Sequence, residues 1–153
     1  MNDKTSQWKP NVTVAAVVER DGSFLLVEEQ TAEGIRYNQP AGHLEAGESL
    51  LDAVIRETLE ESAWCFTPTA LVGIYQYHQA ATGVTYLRFA FTGEISDHET
   101  GRKLDTGIVR ALWMPVAEIR ASRAKHRSPL LMQCVDDYLT GRRHSLDLLH
   151  THN

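Results

Sequence analysis

Cysteine is scarce in this chain: Cys65 and Cys134 are far apart and form no C-x-x-C pair. A disulfide framework and a thiolate metal site are therefore both excluded, and two ordinary thiols in a reduced, cytoplasmic protein are the expectation. Long apolar runs are also missing. No stretch approaches the roughly 18 residues needed to span a bilayer as a helix. The opening MNDKTSQWKP is polar and has no apolar core of the kind a signal peptide carries. Positive charge is in deficit, with 15 basic against 20 acidic residues and a net charge of −5. Sequence-independent binding to nucleic acid needs a basic face, so that class of partner is disfavoured. Repeats, low-complexity tracts and a Gly-x-x-x-x-Gly-Lys phosphate loop are absent as well. What remains is an ordinary globular composition of 153 residues, long enough for one domain with a substantial core.

The coarse organisation is a mixture of strands and helices. Residues 12–19 (VTVAAVVE) read as a buried strand, Asp21-Gly22 as a hairpin turn and 23–29 as the return strand. Residues 31–36 read as a polar loop. A helix starts near Ser49, with apolar residues recurring at Leu51, Ile55 and Leu59. Strands are expected over 69–79, 85–95 and 108–114, with a turn at Thr82-Gly83 and a polar loop from Ser96 to Gly107. A short helix over 116–122 and an amphipathic one over 128–139 complete the chain. The expected divisions are a tail at 1–9, one domain over 10–146 and a tail at 147–153. Strands, a long helix, more strands and a terminal helix indicate an α/β protein with a sheet between helices.

Residues 42–61, GHLEAGESLLDAVIRETLEE, carry the chemistry. Glu57, Glu60 and Glu61 fall at i, i+3 and i+4 and share one helical face. Crowded carboxylates repel one another, and a hard divalent cation bound through oxygen offsets that repulsion. Such ligands suit Mg²⁺ or Mn²⁺ rather than Zn²⁺; a plain solvated acidic face is the alternative. Glu48 and Arg56 have a spacing that suits an ion pair fastening the loop to the helix, or else an ordinary surface pair. Arg56 lies about 100° round the helix from Glu57 and is expected to point away from the centre of the carboxylate face. Ala41 and Gly42 stand where the chain is expected to turn sharply, and Gly47 reads as a turn glycine.

The pattern G-x5-E-x7-R-E-x2-E-E resembles the signature of the Nudix hydrolases. Six fixed positions match by chance on the order of 10⁻⁷ per start. Thr58 and Trp64 replace the usual aliphatic residues, and Ala63 replaces the usual glycine. Ala63 either takes a left-handed exit at about 1 kcal/mol or lets the helix run toward Pro68.

The resemblance implies an α/β/α sandwich with a mixed sheet and a monomer acting on a small diphosphate compound. It also implies a Mg²⁺ or Mn²⁺ site built from Glu57, Glu60, Glu61 and the Ala41 carbonyl, and an orienting pair of Arg56 with Glu48. The base is implied to be either a glutamate of the motif or a carboxylate on a later loop. Asp105 is the best such loop residue, ahead of Glu94, Asp97 and Glu99, and its polar, glycine-containing loop suits closure over phosphates. His43 reads as a turn residue. Arg36, Arg88 and Arg110 are candidates for phosphate oxygens, although alternation to an exposed strand face explains Arg88 equally well. Tyr37, Tyr75 and Tyr77 could stack on a base, or simply pack.

Beyond the motif, YNQPAGHLEAGESL, TYLRFAF and RSPLL look like one phosphatase branch of that family, with matching elements from about Lys9 to Leu146. This implies hydrolysis of nucleoside tri- and diphosphates, or of hydroxymethylpyrimidine pyrophosphate, with orthophosphate release. An enzyme for ADP-ribose or another dinucleotide, and a catalytically silent nucleotide sensor, are the alternatives.

Overall fold

Strand β1 (Asn11–Ala16) is the organising element. Its β-branched start favours extended backbone, and from Val14 onward its side chains are fully buried. A strand buried on both faces needs partners on both edges. β1 pairs antiparallel with β5 (Ala41–His43) and parallel with β7 (Val84–Ser96), which in turn pairs antiparallel with β6 (Cys65–Gln79). The resulting sheet is mixed, in the order β5-β1-β7-β6. A second sheet is built on β3 (Ser23–Thr31), which pairs with β2 (Glu19–Arg20), β4 (Gly34–Asn38) and β8 (Ile108–Pro115). The computed structural model describes residues 6–153. The expected tail over 1–9 therefore lies partly outside the described residues.

Period-two alternation places helices on both sides. In β3, Phe24 and Leu26 pack with Leu131, Met132 and Val135 of α3 (Leu130–Leu139) and Ile119 of α2 (Val116–Ala121). Leu25, between them, joins Val14, Ala16 and Phe91 against Ala53 and Val54 of α1 (Leu50–Ser62). Neighbouring residues of one strand thus feed opposite cores, and the architecture is the expected α/β/α sandwich. Leu146 and Leu149 pack against the α1 side, so the chain stays docked past the boundary expected at 146.

Helix α1 starts where Ser49 caps it: its Oγ accepts from the Asp52 N–H at 3.1 Å. Its buried face is not the Leu51–Ile55–Leu59 stripe, since Ile55 is exposed. The buried residues are Ala53, Val54, Glu57, Thr58, Glu61 and Ser62. Small and hydroxylated side chains can turn inward because Thr58 Oγ1 donates to the Val54 carbonyl at 2.7 Å and Ser62 Oγ to the Thr58 carbonyl at 2.6 Å. Of the two exits open to Ala63, the left-handed one is adopted, at φ 64°. Its N–H donates to the Leu59 carbonyl at 2.9 Å.

Two expectations need correcting. The segment 31–36 is not a loop throughout, because Gly34–Asn38 forms β4. Thr31 and Gly34 pair across a tight turn with Gly34 at φ 101°, and Arg36 on this half-exposed strand disguised the alternation. β6 also begins at Cys65 rather than Thr69. Pro68 fits because β6 is an edge strand with a register shift between Pro68 and Ala70. Opposite it, a Cβ on Gly93 would overlap the Thr67 carbonyl.

Candidate functional site

The buried face of α1 presents Glu57 and Glu61 to the end of the β5-β1-β7-β6 sheet. Gly42 lies inside strand β5 rather than at a turn. It is glycine for clearance, since a Cβ there would overlap the Glu57 carboxylate. The Ala41 N–H donates to Glu61 Oε1 at 2.9 Å, so β5 orients that carboxylate directly. Asp105 arrives from the connection between β7 and β8. Its N–H donates to the Glu60 carbonyl at 3.0 Å, the Glu99 N–H to the Ala63 carbonyl at 2.8 Å, and the Gln30 N–H to the Gly107 carbonyl at 2.7 Å. The connection is therefore fastened on both sides of an exposed apex at Thr100 and Gly101, so less of it is free than in the closing loop expected from the sequence. Carboxylate oxygens of Glu57, Glu60 and Asp105 lie within 4.8 Å of one another. Glu61 stands beside this trio, against Ala41.

Arg56 is the cation of the site. It donates to Glu48 through Nε at 3.0 Å and Nη2 at 2.7 Å, a two-pronged contact. The pairing foreseen for Glu48 and Arg56 is present, and Glu48 also accepts from the Glu45 N–H at 2.7 Å. Arg56 does not point away from the carboxylates, however. Its Nη1 donates to Glu57 at 2.8 Å and Glu60 at 3.2 Å, and its Nη2 donates to the His43 carbonyl at 3.1 Å. A long guanidinium stem bridges the 100° separation that the helical wheel implied.

Electrostatics follow from this arrangement. The Arg56 guanidinium holds the Glu48 carboxyl below its ordinary range. Burial pushes Glu57 up despite the opposing pull of Arg56. Burial and then the Asp105 charge do the same to Glu60. Glu61 is pushed up to about 8, mainly by burial; the Ala41 N–H opposes this and Glu57 adds to it. Once Glu48 and Arg56 are set against each other, Glu57, Glu60, Glu61 and Asp105 remain as crowded oxygen donors. That donor set fits a hard divalent cation and lacks the nitrogen or sulfur ligands of a zinc site.

A cleft of about 440 Å³ adjoins the cluster, with Ala41, Gly42, Glu57 and Glu61 on one wall and Tyr77, Tyr86 and Arg88 on another. Of the three candidate arginines, Arg88 alone borders it. Arg110 pairs with Glu28 at 3.0 Å, and Arg36 sits by Glu33 at 3.9 Å on the outer hairpin. Arg88 is only 6% exposed, so alternation to solvent is not its role. It donates to Gln39 Oε1 at 3.0 Å and Asn38 Oδ1 at 3.1 Å.

Tyr77 lines the cleft, whereas the Tyr75 hydroxyl donates to Asp137 at 2.7 Å and Tyr37 packs near the core. His43 ends strand β5 and also borders the cleft. Glu99 pairs with Arg102 at 2.8 Å, and neither it nor Glu94 or Asp97 joins the trio. Tyr86 and Asn38 were not foreseen. Tyr86 precedes Arg88 by two positions on the same strand face, a signal that alternation alone could have supplied.

A family model described as NUDIX domain matches residues 8–134. The chain is 36% identical over 142 residues to "Phosphatase NudJ" of Escherichia coli strain K12, covering 93% of this chain and 92% of that protein. A solved NUDIX hydrolase from Nitrosomonas europaea superposes with a TM-score of 0.92 at 54% identity, over 94% of this chain and 98% of that one. The Nudix domain of Shewanella oneidensis NrtR, solved with ADP ribose, shares the fold at a TM-score of 0.71 and 16% identity, covering 92% and 93% of the two chains.

Proposed function

From the premise that the chain belongs to the Nudix hydrolase family, we propose that it hydrolyses the phosphoanhydride of a small pyrophosphorylated metabolite with Mg²⁺ (or Mn²⁺) and releases orthophosphate. The substrate class is nucleoside tri- and diphosphates or hydroxymethylpyrimidine pyrophosphate. The observation that carries this reading is the convergence of Glu57, Glu60 and Asp105 within 4.8 Å beside the cleft.

Glu57, Glu60 and Glu61, with the Ala41 carbonyl, would hold the cation, which when bound neutralises phosphate charge and acidifies water. Arg56 and Glu48 fix the carboxylates in place. Water attacks the terminal phosphorus, and the P–O bond to the bridging oxygen breaks with its electron pair leaving on the departing phosphate. The water proton passes to Asp105, which is exposed and can hand it on to solvent. The protein is proposed to act as a monomer.

Hydrolysis of ADP-ribose or another dinucleotide is the second reading, supported by the paired Tyr77 and Tyr86 as stacking surfaces. The deciding experiment incubates the protein with ADP, ATP, hydroxymethylpyrimidine pyrophosphate and ADP-ribose, in Mg²⁺ and in excess chelator. Phosphate is detected directly, without added pyrophosphatase. Orthophosphate from the first three compounds, in Mg²⁺ alone, is the expected outcome. AMP and ribose 5-phosphate from ADP-ribose, with no orthophosphate from the other three compounds, would favour the second reading, and turnover in chelator would refute both.

A further inference from the structure

The cleft contains a second charged feature that the cation site does not use. Arg88 is nine-tenths buried, and guanidinium stays protonated at any physiological pH. Burying an ion is costly unless a counter-charge or several hydrogen bonds compensate. The other cleft arginine, Arg127, pairs with Glu29 at 3.0 Å. Arg88 has no carboxylate within 4.0 Å among the described residues. Its oxygen partners are the neutral amides of Asn38 and Gln39.

That arrangement is fixed in advance of any ligand. The Gln39 amide donates to the Leu131 carbonyl at 2.9 Å, which sets its oxygen toward Arg88. Arg88 therefore has two arms held by neutral acceptors while its side chain still borders the cleft, a preorganised cation. Its position relative to the carboxylates is set by register. Arg88 pairs with Thr13, which pairs with His43, the residue after Gly42. Two strand spacings separate those backbones, about 10 Å. Tyr77 and Tyr86 face each other two residues from Arg88, on the same side of the sheet.

We propose that Arg88 is a specificity residue whose guanidinium binds the non-transferred phosphate of the substrate. This rests on the hydrolase reading above and adds that the leaving group must itself be anionic and is held by a charge remote from the cation site. The product left after orthophosphate release, a monophosphate when the substrate is a diphosphate, then binds through the same contact.

The test is calorimetric binding of adenosine 5′-monophosphate, with adenosine and inorganic phosphate as companion probes, to the metal-free and Mg²⁺-loaded protein. Arg88→Gln should weaken the monophosphate about tenfold or more and leave adenosine unchanged. Arg88→Lys should recover part of the loss. Because removing Arg88 could also disturb folding, Asn38→Asp provides an independent arm. It keeps the Oδ1 acceptor and supplies Arg88 with an internal counter-charge. Its melting temperature should hold or rise while monophosphate affinity falls as in Arg88→Gln. In turnover, both variants should raise KM far more than they lower kcat.

Monophosphate affinity within twofold of wild type in Arg88→Gln or in folded Asn38→Asp overturns the proposal. So does a wild-type protein that binds neither monophosphate nor inorganic phosphate at millimolar concentration. Failure of the hydrolase reading is distinguishable, because it removes Mg²⁺-dependent turnover of the whole panel without altering these affinities.

Discussion

Replacing Arg56 by alanine removes the cation that touches Glu45, Glu48, Glu57 and Glu60. Glu48 then loses both prongs of its pair, and Glu57, buried to 8% exposure, loses its nearest positive charge. Breaking a buried pair costs roughly 3–5 kcal/mol. The Arg56 side chain is 23% exposed, so the lower end, about 3 kcal/mol, is appropriate. A domain of this size shifts by roughly 2–4 °C per kcal/mol, so Tm should fall by about 6–12 °C in metal-free protein. The cluster left behind is more anionic, and Mg²⁺ should therefore raise the variant's Tm by more than it raises that of wild type. Thermal unfolding with and without Mg²⁺, paired with steady-state kinetics, checks both statements. An Arg56→Ala protein of wild-type Tm and kcat, altered only by a higher KM, would refute the positioning role and make Arg56 a substrate ligand.

Asp105→Asn should lower kcat at least tenfold with little change in Tm, because the backbone N–H bond to Glu60 survives and a general base contributes about 10²–10⁴-fold. A loss below twofold at saturating metal would return proton acceptance to the glutamates. Gly42→Ala should displace the Glu57 carboxylate, costing roughly 1–3 kcal/mol of stability and most Mg²⁺-dependent activity. Wild-type turnover in that variant would show that the clearance is unimportant. Without metal, the folded protein keeps a proton on Glu61 up to about pH 8, whereas the unfolded chain releases it near 4.5. The folded state thus binds more protons across that window, and Tm should fall as pH rises from about 5 to 8. Glu61→Gln should flatten that decline, and an equal slope in the variant would contradict the assignment.

Helix α1, its start near Ser49 and its carboxylates could be read from spacing because a helix converts sequence separation into direction at short range. The pairing of Glu48 with Arg56 was equally legible. Sequence reading failed where side-chain length or tertiary pairing took over. Arg56 reached the carboxylates by its stem, β4 hid behind a charged residue on a half-exposed strand, and Ile55 in the middle of the α1 stripe turned outward. Arg88 was ambiguous because an arginine in an alternating strand marks an exposed face unless amides from another segment meet it. Here Asn38 and Gln39, some 50 positions away, do so. Asp105 could be nominated from its polar setting, but its junction with Glu60 required the fold.

The bond from the Asp105 N–H to the Glu60 carbonyl makes the end of α1 and the return into β8 one mechanical unit. The residues just before β8, from Asp105 to Gly107, are tethered to α1 and β3, while the apex around Thr100 and Gly101 is exposed turn. The connection is thus divided into a tolerant outer arc and an intolerant inner stem. Added length at the apex would leave the carboxylate trio undisturbed, and a single residue inserted after Asp105 would pull it apart. Lineages could lengthen this arc without retuning the chemistry beneath it.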